Sequence, residues 1–417
     1  MLSRRGALLL AAGGLAQLSL PPAGRAATAA GAGEVASAGE VTALLAARAD
    51  ALRGHDAAAL AALSTAGGRP AAAELLARLT AVPLAALDYR APTVTGPDPD
   101  GRLTATAELA VRIEGYDDHP ALFARRLTLA REGGAWRIDR DDPAAGAVPL
   151  WDTGPVEVAS GTHCLVLATA GGATGPAALA RVADRAVAAV SAVWGTGWAG
   201  RLLLELPATE EGFARLLDVP AADWAGMAAV TAAAPGAPLH TPADRVLINP
   251  QAYPRLSDLG RQVVTTHEAT HVATRADTRP WTPLWLSEGV ADWTGYLDTG
   301  RTAAQIAPEL ARDVAAGRLP AALPADADFA AGAPGIAQAY ELSWLACDLI
   351  ARRFGRQRLV ALYRAVGAAG ADAAPEPRLD RVLRATLGTG LAEFTALWVA
   401  ETRRQLAGSS PAAPDRP

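Results

Sequence analysis

The sequence predicts an α+β protein built as two successive units, and three observations predict it. Helical spacing gives way to strand-like alternation within the first third of the 417 residues. A Pro/Gly-rich stretch, "DDPAAGAVPLWDTGP", then marks a boundary near residues 142 to 155. Beyond it strands come first, and from Leu256 onward almost everything reads as helix. Helices and strands segregated into runs, rather than alternating one by one, are the mark of the α+β class.

The elements of the first unit follow in order. "EVTALLAARADALRGHDAAALAALST" has apolar residues three and four apart and a break at Gly54-His55-Asp56, and "AAAELLARLTAV" continues as a further helix. The period then changes. "LAALDYRAPTV", "RLTATAELAVRIEG" and "ALFARRLTLAREGGAWRIDRDD" read as strands, with turns signalled by "GPDPDG" and "EGG". Helices followed by an antiparallel meander ending in "GGAWRID" resemble an NTF2-like (cystatin-like) cone domain over residues 35 to 145. His55 and His119 lie in or beside turns here and are expected at the surface.

In the second unit "VEVASGTHCLVLAT" is strand-like, "PAALARVADRAVAAVSAVWG" is a helix with Pro176 in its first turn, and "RLLLELPA" is a strand. A short helix, "TEEGFARLLD", and two further strands, "WAGMAAVTAAA" and "DRVLINP", complete this part. Cys164 sits in the first strand and Cys347 in a late helix. Both lie in apolar runs and read as buried free thiols.

A formal net charge of −5 and the lack of any basic stripe exclude a nucleic-acid partner. Ser3-Arg4-Arg5, a short apolar run and the small residues of "AGRAATAA" predict an export signal over residues 1 to 30, resembling the twin-arginine type. That run is broken by Gly13, Gly14 and Gln17, too short for a good membrane span. The expectation is an exported protein with no membrane anchor after cleavage, ending in a disordered tail over residues 408 to 417.

The chemistry is expected in "VVTTHEATHVATR", on a helix from about Ser257 to Asp277. Residues four apart share a helical face, so His267 and His271 can hold one metal ion, with Glu268 beside a water on that ion. Such a site needs a third protein ligand and one open position. Glu288, in the apolar helix "PLWLSEGVADWTGYL", is the candidate. Asp292, one turn on, is placed to hydrogen-bond the outer nitrogen of a ligating histidine. Acids set among Leu286, Val290 and Trp293 need a partner, and a metal site provides one.

"HEATH" followed by "WLSEGVADW" resembles the gluzincin branch of zinc metallopeptidases, and its peptidase-MA-like group in particular. "AYELSWLACDLIARRFG" and "LGTGLAEFTALW" extend the resemblance through the late helices. The resemblance implies a zincin-like domain over residues 155 to 407, with a small mixed sheet and a mostly helical C-terminal lobe. It implies Zn2+ held by His267, His271 and Glu288, Glu268 as general base, and a peptide or protein substrate. It also implies an oxyanion stabiliser from the late helices: Tyr340 first, Tyr296 second and His240 third, with His163 structural. "DRVLINP", just before the active helix, is expected at the sheet edge beside the cleft. The M1 aminopeptidases carry Gly-x-Met-Glu-Asn, and the nearest local match, "AGMAAV", lacks the Glu and the Asn. An endopeptidase is therefore expected. Two alternatives stay open: a zincin-like scaffold at the cell surface with little turnover, and a zinc hydrolase of non-peptide substrates.

Overall fold

The computed structural model describes residues 38–220, 226–232, 243–330, 332–370 and 374–407. The export-signal stretch, His240 and the tail at 408–417 lie outside the described residues.

The first unit opens with α1 (Ala38–Arg53), α2 (Ala57–Ala62) and α3 (Arg69–Leu79). The break between α1 and α2 is a stop followed by a cap. His55 adopts a left-handed φ of 52°, and the Asp56 carboxylate accepts from the Ala59 N–H at 2.8 Å. Four strands follow, β1 (Leu84–Thr95), β2 (Leu103–Ile113), β3 (Ala121–Glu132) and β4 (Ala135–Pro143). They pair as an antiparallel meander in chain order, so the helices-then-meander reading holds. His55 is exposed, whereas His119 is half-buried in its turn.

In the second unit the run read as one strand is a hairpin, β5 (Val156–Ser160) and β6 (Cys164–Thr169), turning at Gly161–His163. His163 is exposed in that turn. Then come α4 (Pro176–Trp194), β7 (Leu202–Leu206), α5 (Glu210–Leu217), β8 (Ala229–Ala232) and β9 (Arg245–Ile248). These strands form a mixed sheet in the order β5-β6-β7-β9-β8. The "DRVLINP" strand, expected at the edge, is therefore interior. β8 pairs along its far side and takes the edge, because a four-residue antiparallel return is enough to cover β9. The rest is helical: α6 (Asp258–Thr274), α7 (Leu284–Tyr296), α8 (Ala303–Ile306), α9 (Pro308–Ala315), α10 (Ile336–Phe354), α11 (Arg356–Ala368), α12 (Pro375–Leu387) and α13 (Leu391–Leu406). No described helix is long and apolar enough to cross a membrane.

Alternate residues of the second sheet serve two different cores. Cys164, Val166, Leu204 and Ile248 face α4, α6 and the late helices. Leu165, Leu167, Leu203 and Leu247 face the other way, into a cluster shared with Leu52, Leu79 and Ile113 of the first unit. Val148, Leu150 and Trp151 of the Pro/Gly-rich stretch are buried in that same cluster, so the connection is packed rather than loose. Arg245 reinforces the joint, donating through both terminal nitrogens to Asp117 at 2.6 and 2.7 Å. Both cysteines are buried and unbonded.

Candidate metal centre

The centre is built where α6 crosses α7. Ser257 caps α6, its hydroxyl accepting from the Gly260 N–H at 3.1 Å. Threonines are indifferent helix formers, and four of them line this buried helix. Each satisfies its hydroxyl on the carbonyl one turn back, Thr265 on Arg261, Thr266 on Gln262, Thr270 on Thr266 and Thr274 on Thr270. That removes the penalty of burying them.

Glycines seat α7. A Cβ at Gly289 would meet Ser343 O of α10 at 2.6 Å, and one at Gly295 would meet Val263 O of α6 at 2.9 Å. The helix therefore lies close against both neighbours, and this presses Glu288 onto the histidine face of α6.

Three donor atoms converge there. His267 Nε2 lies 3.0 Å from His271 Nε2 and 3.2 Å from Glu288 Oε2, and His271 Nε2 lies 3.5 Å from that same oxygen. Tetrahedral zinc holds N and O donors at about 2.0–2.1 Å, which separates the ligands by about 3.3 Å. The three edges bracket that value, so the trio fits the ion. Among the described residues these are the ones whose ligand atoms could hold a metal together. Glu288 Oε2 is buried and has no hydrogen-bond partner despite both imidazoles beside it. With all three donor atoms unprotonated, their lone pairs would turn on one another, and a dication between them would resolve the conflict.

Asp292 fixes the tautomer. His267 Nδ1–H donates to Asp292 Oδ1 at 2.8 Å, which leaves Nε2 facing Glu288. With no ion bound, burial pushes the His267 imidazole down but Asp292 and Glu288 more than reverse this, so Nε2 holds a proton that a metal ion would displace. Burial also raises Glu288, yet His271 and His267 draw it down to about 2, so it stays ionised. His267 and Glu288 expose 0% and 7% of their side chains, against 20% for His271. Approach to the centre is thus on the His271 side.

Glu268 is fully buried next to this trio, with Oε1 lacking a partner and Oε2 accepting from Thr231 Oγ1 at 2.7 Å. Sequence reasoning missed Thr231. A lone threonine in a short strand carries no signal, and the contact spans 37 positions. Tyr340 is brought in by α10. Its hydroxyl is buried without a partner, and its ring meets Phe329 edge-on at 5.2 Å. Burial, and then the charges of Glu288, Asp292 and Glu268, push its phenol well above its usual range, so it is held as a donor. Tyr296 is half-buried and opens on a separate cavity of about 260 Å³ with Trp293, Arg301 and Trp344. That cavity includes none of the three converging residues.

β8 runs beside this centre. The Asn249 N–H donates to Ala228 O at 2.9 Å, so alternate main-chain groups face β9 and those of Thr231 face the other edge, which is free of any strand among the described residues.

No protein-family profile matches the chain, and no curated protein is similar to it in sequence. Among solved structures it is similar to an M1 zinc metallopeptidase from Deinococcus radiodurans, with 13% identity over 81% of this chain and 98% of that one, at a TM-score of 0.35. A mutant of an M1 zinc metallopeptidase from the same organism, bound to a Tyr-Ser-Ala substrate, gives 13% identity, 79% and 96% coverage, and a TM-score of 0.37. A mutant two-domain M1 zinc metallopeptidase bound to L-tryptophan gives 15% identity, 76% and 63% coverage, and a TM-score of 0.33. Likeness at this distance decides nothing about the chemistry, which rests on the side chains.

Proposed function

We propose that this protein is a zinc-dependent metallopeptidase acting as an endopeptidase on peptide or protein substrates. The observation that carries the reading is the triangle of His267, His271 and Glu288 donors with edges of 3.0, 3.2 and 3.5 Å, beside a buried Glu268 with one free oxygen. When bound, zinc supplies a Lewis acid that activates a water and polarises a carbonyl.

The chain's own residues do the rest. Glu268 takes the water's proton and returns it to the leaving nitrogen. Tyr340 donates to the oxygen that gains charge at the scissile carbon. Asp292 orients His267 through Nδ1. An extended substrate pairs its main chain with the free edge of β8, a mode tolerant of side chains. A fully buried base kept beside the ligand trio favours a hydrolase over a non-catalytic scaffold, because an unused buried carboxylate is costly to keep. The first unit is read as an NTF2-like cone packed on the peptidase half. Arg4, Arg5 and the apolar run after them support export by the twin-arginine route.

The test is cleavage of a mixed peptide library by wild type and Glu268→Gln, with zinc content measured for both. Wild type should bind about one zinc and cleave internal bonds, and the variant should keep its zinc and lose at least about a hundredfold in rate. An active Glu268→Gln enzyme overturns the mechanism, and a zinc-loaded wild type inert to peptides overturns the substrate class.

A further inference from the structure

The general base has two chemically equivalent oxygens, yet the protein treats them differently. Oε2 of Glu268 accepts from Thr231 Oγ1 at 2.7 Å, while Oε1 is buried with no partner. The Thr231 hydroxyl has a single proton to give. It also lies 3.3 Å from the Glu268 main-chain carbonyl, but the shorter contact to the charged oxygen takes the proton. Among the described residues, no other side chain donates to this carboxylate.

We infer that Thr231 is the positioning residue of the base: its hydroxyl ties down Oε2 of Glu268, fixes that side chain's rotamer, and leaves Oε1 as the oxygen that takes and returns the proton. This rests on reading Glu268 as the general base. In the step itself, a proton leaves water for Oε1 and passes from Oε1 to the leaving nitrogen, while the Thr231 proton stays on Oγ1. A carboxylate free to rotate would spend part of its time with neither oxygen aimed at the water, and misplacement by about 1 Å is enough to cost a hundredfold.

The position of Thr231 adds a second consequence. Its side chain faces α6 while its main-chain groups face the free edge of β8. One residue thus touches the base and borders the place where an extended substrate would pair. The strand that registers the substrate also registers the base.

The test uses the full, zinc-loaded chain with a cleaved peptide from the library. Thr231→Val should lower kcat roughly 10- to 100-fold while KM, zinc content and Tm stay near wild type. Thr231→Ser, which keeps the donor, should restore kcat to within about threefold. In a Glu268→Gln background Thr231→Val should cost less than about twofold, since the group it positions no longer acts as a base. Crystal structures of both zinc-loaded forms give a readout independent of turnover. Glu268 should hold one rotamer in wild type and shift or split in Thr231→Val. Wild-type kcat in Thr231→Val, an equal loss in the Glu268→Gln background, failure of serine to rescue, or an unchanged single rotamer would each overturn the inference. Thr231→Ala carries the same test should the valine variant not fold. If Glu268→Gln is active, the base assignment itself falls and this inference with it; if Glu268→Gln is dead but Thr231→Val is normal, only the inference falls.

Discussion

Two groups of ionisable side chains are buried in this molecule, and comparing them separates structure from chemistry. In the first unit Arg48 and Arg125 meet Asp141 and Asp152. Arg48 donates to Asp141 at 3.1 Å, and Arg125 donates to Asp141 at 2.9 Å and to Asp152 at 2.5 Å. Tyr89 donates to Oδ2 of Asp141, the oxygen that Arg48 meets, while Arg125 takes Oδ1. Two cations match two anions, and burial of Asp141 is outweighed by the arginines, which hold its carboxyl low. In the second unit Glu268, Glu288 and Asp292 outnumber the two imidazoles, and three potential ligand atoms converge on one point. The first group balances its charges from within, although Arg48 Nη1 is buried without a partner. The second becomes complete when a cation joins it. A buried charge cluster that balances reads as architecture, and one that balances only with an added ion reads as a site.

That contrast can be broken by experiment, and the largest effect is expected at the ligand trio. Glu288→Ala should lose zinc and all activity, and chelator-treated wild type should regain activity on adding zinc, read by metal analysis and peptide cleavage. Full zinc occupancy in Glu288→Ala would show that the cluster does not need its carboxylate. A smaller effect sharpens the comparison by leaving the ion in place. Tyr340→Phe removes a hydroxyl that carries no charge and should lower kcat roughly 10- to 1,000-fold, with zinc content and KM nearly unchanged. An intact kcat, with Tyr296→Phe impaired instead, would move the donor role to Tyr296. The smallest effect at the centre is expected from the balanced cluster. Asp141→Asn leaves two buried guanidiniums short of an anion and should destabilise the fold by about 3–5 kcal/mol, measured by denaturant unfolding. Its zinc stoichiometry should not change. Zinc loss from a folded Asp141→Asn variant would mean the two clusters are coupled.

Local spacing made some of this legible. His267 and His271 share a face because four residues make one helical turn, and the acids of α7 declared themselves by sitting among Leu286, Val290 and Trp293. The helices-then-meander order of the first unit was likewise plain from the change of period between Val82 and Leu84. What stayed hidden depends on pairing between distant segments. Nothing in "DRVLINP" says that β8 will pair outside it, since the four-residue return is too short to show a period. The hairpin at Gly161–His163 hid inside one apolar run for the same reason. Thr231 reaches Glu268 only through that late strand pairing, so no local pattern could single it out.

The sheet that carries the centre has a second apolar face, and its owner is the first unit. A stretch rich in proline and glycine is where a chain is usually cut, shuffled or fused. Here the cut would strip Leu165, Leu167, Leu203 and Leu247 of their cover, each now exposed by 4% or less. At about 1.5–3 kcal/mol for each such side chain, the exposed face would forfeit much of what keeps an ordinary domain folded. The two halves are therefore not interchangeable parts. Descent would have to carry them together, and an engineer who wants the second unit alone must first design a new back wall for its sheet.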